Sequence, residues 1–448
     1  MSKIIDAVSI VITCGPEIFF IQRQYHLKAF PGYVAFPGGK VETGDESLFV
    51  DHPLIAAIDP KLFGAIIREG KEELGIDLGL ETLNGNVENI DYLGLAVTPD
   101  FNPFRFATHF FKFNMKTKYP FVVDKNEAHL AKWMSAAYLL ELYANGLILA
   151  VPPVIKIIEN LGRDPHIKTI PDLNFSYDKE NHVPYIESLK SVRQLMPLSN
   201  TLPPATRTNA FLIGDDGPKI LLDPSPKDDE EYRKLKNTIQ LFGLDKILLT
   251  HHHPDHHERS NTLARDFKVP MLMSSDTHAR LTKKDARYFD GIEIEFVKEG
   301  DVVTKWLGRN VVVYEIPGHD EGQVALASED MSWFIAGDLF QGVGTVVIGD
   351  EEGDMTKYFH TLTKVIALKP KVVFPSHGIG LGGTLILENT LVHRRLRESQ
   401  VLKFHQEGLS EDQMLEKIYA QVDSRLWPYA RKNIQKHLEK LKIEGFIV

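Results

Sequence analysis

The chain has 448 residues, a formal net charge of −10, 43% hydrophobic and 25% charged residues, and one cysteine, Cys14. That length holds two or three domains, each able to bury a core of its own. The acidic balance excludes a molecule that grips nucleic acid by its overall charge, leaving only a local basic patch. A lone cysteine excludes an internal disulfide and fits a reducing, cytoplasmic setting. Cys14 ends an apolar run and reads as a buried, inert thiol. Asp6 interrupts the apolar N-terminus, so neither a signal peptide nor a membrane span is expected.

In chain order, Ile4–Thr13 and Ile18–Gln22 read as strands of a hairpin around Gly15-Pro16. A strand at Tyr33–Phe36 runs into Pro37-Gly38-Gly39. A helix over Leu62–Leu74 follows, then strands at Tyr92–Val97 and Thr108–Phe113. A helix over Ala136–Asn145 stops at Gly146, a C-cap residue. Residues 160–190 are rich in Pro, Asp, Asn and His without a sustained period and read as linker. The pattern then restarts. Asn209–Ile213 and Ile220–Leu222 form a second hairpin around Gly214-Asp215-Asp216-Gly217. Strands at Ile247–Thr250, Val311–Ile316, Phe334–Ala336 and Val372–Phe374 alternate with helical stretches. From Leu391 onward the pattern is helical, with eleven basic against eight acidic residues, a local balance of +3. The expected domains are 1–162, a linker 163–190, 191–390, and a helical extension 391–448.

Each later strand runs into residues that carry chemistry. After Ile247–Leu249 comes Thr250-His251-His252-His253-Pro254-Asp255-His256. Imidazole and carboxylate suit zinc and similar divalent ions. Four such ligands in six residues cannot all face one ion: His251 and His253 point one way, and Asp255 and His256 can serve a second ion, which suggests a binuclear centre. Further ligands must come from elsewhere. His319 follows Pro317-Gly318, Asp338 follows Ala336-Gly337, and His377 follows Pro375-Ser376. A carboxylate such as Asp338 can bridge two ions. His252 and His257 read as bystanders.

This constellation resembles the metallo-β-lactamase superfamily, whose second motif is H-x-H-x-D-H, over about Asn209 to Gly378. The resemblance implies an αββα sandwich and metal-assisted hydrolysis of an ester, thioester or phosphodiester. It assigns His251, His253 and His319 to one zinc-like ion and Asp255, His256 and His377 to another, with Asp338 bridging. Asp255 also orients the attacking water, and Asp223 of Leu222-Asp223-Pro224 orients the metal-binding loop. Two departures stand out. His257-Glu258-Arg259 follows where the family often has Gly, and Gln323 stands where many members have a second His; both bear on substrate preference. The tail, with His393-Arg394-Arg395-Leu396-Arg397-Glu398 and with Asn433, His437, Leu438 and Leu441, resembles the winged-helix-like extension of lactamase-like ribonucleases. Glyoxalase-II-like thioesterases share the same ligands, so the motifs leave the chemistry open.

In the first half, Gly38-Gly39-Lys40 opens a Gly-rich loop, and Arg68-Glu69-Gly70-Lys71-Glu72-Glu73-Leu74-Gly75-Ile76 lies on a helix. Glu69 there neighbours Glu72 and Glu73 at i+3 and i+4. Such crowded carboxylates are relieved by Mg²⁺ or Mn²⁺, which can grip a diphosphate. Loop and helix together resemble the Nudix box over about Ile4 to Leu161, which implies an α/β/α sandwich. The resemblance makes Glu69, Glu72 and Glu73 metal ligands, with Glu72 and Glu73 catalytic, Arg68 and Gly39 orienting, and Glu127, near Trp133, a weaker base. Asp45 replaces the first Glu, the gap to Arg68 is long, and Gly70 replaces an apolar residue. The long insertion, Arg23, Pro31-Gly32, Thr98-Pro99 and Arg105-Phe106 are similar to coenzyme A diphosphatases, although Phe30 stands where their His is expected.

The sequence is thus expected to encode a bifunctional metal-dependent hydrolase, mixing α+β and α/β architecture. Its substrates are a small-molecule diphosphate and a (thio)ester, which an acyl-coenzyme A combines in one molecule, and no membrane partner is expected. The alternative makes the C-terminal half a ribonuclease, with RNA as partner and the Nudix half a nucleotide-sensing module.

Overall fold

The computed structural model describes residues 4–102 and 104–447. The chain divides into two compact units, Met1–Tyr177 with Ile186–Lys190, and Asp178–Tyr185 with Ser191–Val448.

In the first unit a six-stranded sheet has the order Val34–Ala35, Glu17–Arg23, Ile5–Cys14, Phe106–Met115, Val87–Val97, with Ala128–Ser135 also paired to Glu17–Arg23. Ile5–Cys14 runs parallel to Phe106–Met115 and antiparallel to its hairpin partner. The near-continuous apolar run of this central strand is explained by cover on both faces. Val8, Ile10 and Ile12 pack with Phe63, Ile66 and Ile67 of the helix Pro60–Leu74. Val11 faces the opposite core with Leu139, Ile157 and Leu161 of the helices Ala136–Ala144 and Pro152–Arg163. The result is an α/β/α sandwich. Asp59 caps the Pro60–Leu74 helix by accepting the Lys61 N–H at 2.8 Å, Pro60 opens it, and Gly75 at φ 66° ends it. Cys14 is partly buried at the edge of the first core.

The stretch read as linker is ordered over much of its length. The helix Pro152–Arg163 enters it, Ile170 and Leu173 pack in the second core, and Tyr185–Leu189 is a strand. Its low apolar content hides a polar anchor. Lys112, fully buried on the strand Phe106–Met115, pairs with Asp91 at 3.2 Å and donates to the carbonyls of Pro165 and Ile167.

The second unit is an αββα sandwich. One sheet runs Ile294–Phe296, Met271–Met273, Lys246–Leu248, Ile220–Leu222, Ala210–Ile213, Val192–Leu195. The other runs Val302–Trp306, Arg309–Glu315, Val324–Ser328, Phe334–Ile335, Val372–Phe374, Leu381–Gly382. Leu212 and Leu221 face outward to the helices Asp229–Gln240 and Ser260–Phe267, while Phe211 meets Phe374 of the other sheet edge-on, ring centroids 5.5 Å apart. The second sheet is covered by the helix Met355–Leu368 and the start of Leu385–Gln406. The tail folds as Leu385–Gln406, Glu411–Tyr419 and Trp427–Ile443 around Val401, Leu415, Ile434 and Leu441. Among the described residues no helix is long and apolar enough to cross a membrane.

Truncating Lys112 strands the buried Asp91 carboxylate and frees two carbonyls. Lys112→Ala is expected to destabilise the first unit by about 3–5 kcal/mol, read as an earlier urea transition. The double variant Lys112→Met, Asp91→Leu should recover most of that loss.

Candidate metal centre and carboxylate helix

The strand Lys246–Leu248 delivers Thr250 and His251 to the sheet end, and His253 stands at the N-cap of the short helix Pro254–His257. Asp223, in the left-handed region at φ 46°, accepts from the Thr250 N–H (2.8 Å), the Thr250 hydroxyl (2.6 Å) and faces His256 Nδ1 at 2.8 Å. These contacts tie it to the loop that carries His251 and His256. The other residues arrive from the second sheet. Gly318, at φ 133°, lets the chain pass Tyr358 so closely that a Cβ would lie 2.4 Å from its backbone. Gly337, at φ 53°, turns Asp338 inward.

All seven side chains expected at the centre come together. His251, His253 and His319 form one group, Asp255, His256 and His377 a second, and His251, His256 and Asp338 a third, the ligand atoms of each within 4.8 Å of one another. His253 Nδ1 lies 3.0 Å from His251 Nε2 and 2.9 Å from His319 Nε2. Asp338 faces both sets: Oδ1 is 3.6 Å from His256 Nε2 and from His377 Nε2, and Oδ2 is 3.6 Å from His319 Nε2. Asp255 Oδ2 is 3.6 Å from His377 Nε2.

Each of the five imidazoles has its other ring nitrogen held by the protein. His251 Nδ1 meets the Thr250 hydroxyl, His256 Nδ1 meets Asp223, His319 Nδ1 meets the Val347 carbonyl, His377 Nδ1 meets the Arg207 carbonyl, and His253 Nε2 meets Glu352. This is how metal-binding histidines are fixed in tautomer and direction. The inward atoms His256 Nε2, His377 Nε2 and Asp338 Oδ1 are buried with no hydrogen-bond partner. Buried polar atoms are rarely left so, and a cation would satisfy all three. Burial and neighbouring imidazoles hold His251 far below its ordinary value and His319 down to about 4, the neutral form a ligand needs. Against burial, Asp338, Asp255 and Asp223 hold His256 well above its ordinary value.

The departures have structural accounts. Arg259 takes the left-handed conformation, φ 63°, that a glycine would otherwise supply, and donates to the Pro226 and Lys227 carbonyls. Buried Gln323 donates to the Ala336 carbonyl at 3.2 Å, next to the Gly337–Asp338 turn. His252, expected as a bystander, lies 2.5 Å from the buried Asp320 carboxylate; His257 packs on Tyr288. Sequence reasoning missed Glu352 and Asp320. Neither belongs to a spaced motif; only the folded chain brings them to the histidines.

In the first unit, Arg68 gathers the site. It pairs with Asp45 (2.9 Å), Glu69 (2.7 Å) and Glu72 (3.1 Å), and donates to the Lys40 carbonyl. The long gap between Asp45 and Arg68 closes because the insertion folds back, with Ile55, Phe49 and Ile58 packed on the core. Asp45 thus meets Arg68 despite its shorter side chain. Gly39 approaches Glu69 so closely that a Cβ would meet its carboxylate at 2.2 Å. Glu73 accepts the Gly38 N–H at 2.9 Å, and burial pushes its carboxyl up to about 8. Glu69 is also raised by burial, and the Glu127 charge acts on both. Glu72 is the exposed member of the three. Unlike the histidine centre, Glu69, Glu72 and Glu73 form no group with ligand atoms within 4.8 Å among the described residues. An all-carboxylate donor set suits a hard cation.

Known proteins place these two sites in families. The model of the metallo-beta-lactamase superfamily matches residues 203–377. The "Beta-lactamase-like protein 2 homolog" of Drosophila melanogaster is 30% identical over 255 residues, covering 53% of this chain and 83% of that protein. The chain belongs to the metallo-β-lactamase superfamily. This superfamily member also carries a NUDIX domain over residues 3–148 and a beta-lactamase associated winged helix domain over 410–448. A hydroxyacylglutathione hydrolase of Bdellovibrio bacteriovorus is 27% identical over 165 residues, 36% of this chain and 60% of that protein. The crystal structure of a beta-lactamase domain protein from Burkholderia ambifaria shares the fold, with a TM-score of 0.50 and 21% identity over 60% of this chain and 90% of that one. The chain is a metal-dependent hydrolase.

Asp223→Ala leaves the buried Thr250 N–H without an acceptor. The metal-free protein should lose about 1–3 kcal/mol of stability, measured by denaturant unfolding in chelator.

Proposed function

We propose that the chain runs two separate hydrolyses: an ester-type bond, best a thioester, in the second unit and a diphosphate linkage in the first. The observation that carries the reading is the five protein-anchored imidazoles whose inward nitrogens converge with Asp255 and Asp338, leaving His256 Nε2, His377 Nε2 and Asp338 Oδ1 buried and unsatisfied. His251, His253 and His319 would hold one divalent ion, Asp255, His256 and His377 a second, with Asp338 shared. The nitrogen-rich donor set favours zinc. Such ions, when bound, supply Lewis-acid polarisation and a water of lowered pKa. Asp255, the most accessible of the ligand carboxylates, accepts a hydrogen bond from the attacking water and aims it. Asp223 keeps His256 aligned while the charge at the centre changes. The hydroxyacylglutathione hydrolase relatives favour a thioester of a small acyl group.

In the first unit Glu69, Glu72 and Glu73 would hold Mg²⁺ or Mn²⁺, and Arg68 keeps Glu69 and Glu72 directed to one place. Glu72 and Glu73 are the residues proposed for catalysis, and the substrate class is a nucleotide or coenzyme A derivative. RNA is the less favoured partner. Arg394, Arg425, Arg431, Lys432, Lys436 and Lys440 of the tail are engaged with partners in the chain itself.

The test uses purified full chain, elemental analysis, a 2-hydroxyacyl glutathione thioester and a panel of diphosphates that includes acyl-coenzyme A. His253→Ala should lower thioester hydrolysis by more than about 100-fold, beyond the loss typical of removing a supporting partner, and leave diphosphate hydrolysis intact. Glu73→Gln should do the reverse. Protein without divalent metal at the histidine cluster would sink the first assignment. Glu72→Gln and Glu73→Gln that change no hydrolysis would make the Nudix half a binding module.

A further inference from the structure

The tail does more than pack. The loop 346–352 carries the protein partners of two ring nitrogens in the His251, His253, His319 set. The Val347 carbonyl lies 2.8 Å from His319 Nδ1, and Glu352 Oε1 lies 3.3 Å from His253 Nε2. The backbone of that loop is held largely by the tail. Asn433 Oδ1 accepts from the Ile348 N–H at 2.9 Å and from Arg394 Nη1 at 3.0 Å. Arg394 Nη2 donates to the Val346 carbonyl, and Lys432 Nζ pairs with Asp350 at 2.6 Å. Asn433 and Arg394 are buried, at 5% and 2% exposure, so these bonds are shielded from water. Val346 and Ile348, flanking Val347, are anchored in the core beside Leu387 and Leu391.

From this chain of contacts we infer that Asn433 and Arg394 are positioning residues for one half of the metal centre. They fix the Val347 carbonyl that sets the His319 ring, and with Lys432 they seat the loop that brings Glu352 to His253. His256 and His377 take their partners from Asp223 and Arg207 instead. The tail therefore supports one ion site and not the other. The inference rests on the reading of the histidine cluster as a two-ion centre.

The geometry predicts a selective effect. Partners that orient metal-binding histidines are worth about 10–100-fold in metal affinity. The experiment titrates chelator-stripped full chain with Co²⁺ and follows the visible absorption of imidazole-ligated cobalt. Asn433→Leu, which removes the acceptor, should weaken one of two sites about 10–100-fold and leave the other unchanged. Asn433→Asp, which keeps the acceptor beside Arg394, should restore it. Ile434→Ala, a cavity in the same helix away from the loop, controls for stability and should leave both affinities unchanged. In a His319→Ala background Asn433→Leu should add nothing, whereas in His377→Ala it should still weaken the remaining site. Wild-type protein that binds no cobalt at the cluster overturns the two-ion reading. Two wild-type sites that Asn433→Leu leaves alone or weakens alike, or that Ile434→Ala weakens in the same pattern as Asn433→Leu, overturn the positioning role.

Discussion

A histidine is fixed in tautomer and direction toward a cation when its other ring nitrogen is held. In this protein five imidazoles meet that condition with five different partners: a hydroxyl, two carboxylates and two backbone carbonyls. The remaining nitrogens then converge with Asp255 and Asp338 in a region too buried for water to screen their mutual repulsion. Much of the second unit serves that convergence. Asp223 bends into a left-handed conformation to reach Thr250 and His256, Gly318 and Gly337 allow tight passages before His319 and Asp338, and Gln323 backs the turn that aims Asp338.

The first unit solves a different problem with the same logic. Glu69 and Glu73 are buried carboxylates whose charge is disfavoured by desolvation. Arg68 offsets part of this by touching Asp45, Glu69 and Glu72 together. The backbone N–H of Gly38 serves Glu73, and the missing side chain of Gly39 leaves room for Glu69. The long insertion is tolerated because it returns an apolar face to the core and places Asp45 against Arg68.

Local patterns made much of this legible. The hairpin strands around Gly214–Gly217, the strand Val372–Phe374 and the helix ending at Gly75 follow from apolar runs bounded by turn residues and a left-handed glycine. Less legible was the ordered part of residues 160–190, because what holds its start is Lys112, a charged residue about fifty positions away donating to backbone carbonyls. A polar anchor of that kind leaves no periodicity behind.

The sequence by itself determined which side chains could bind cations. Imidazoles and carboxylates declare their chemistry by type, and the clustering of His251, His253, Asp255 and His256 within one turn-and-helix segment already pointed to a binuclear centre. Only the tertiary structure decided what holds them. Glu352 reaches His253 across 99 positions, Val347 reaches His319, and Arg207 reaches His377. Two of these contacts are made by backbone oxygens, which every residue type carries. Their identity is written in the path of the folded chain and not in the letters of its sequence.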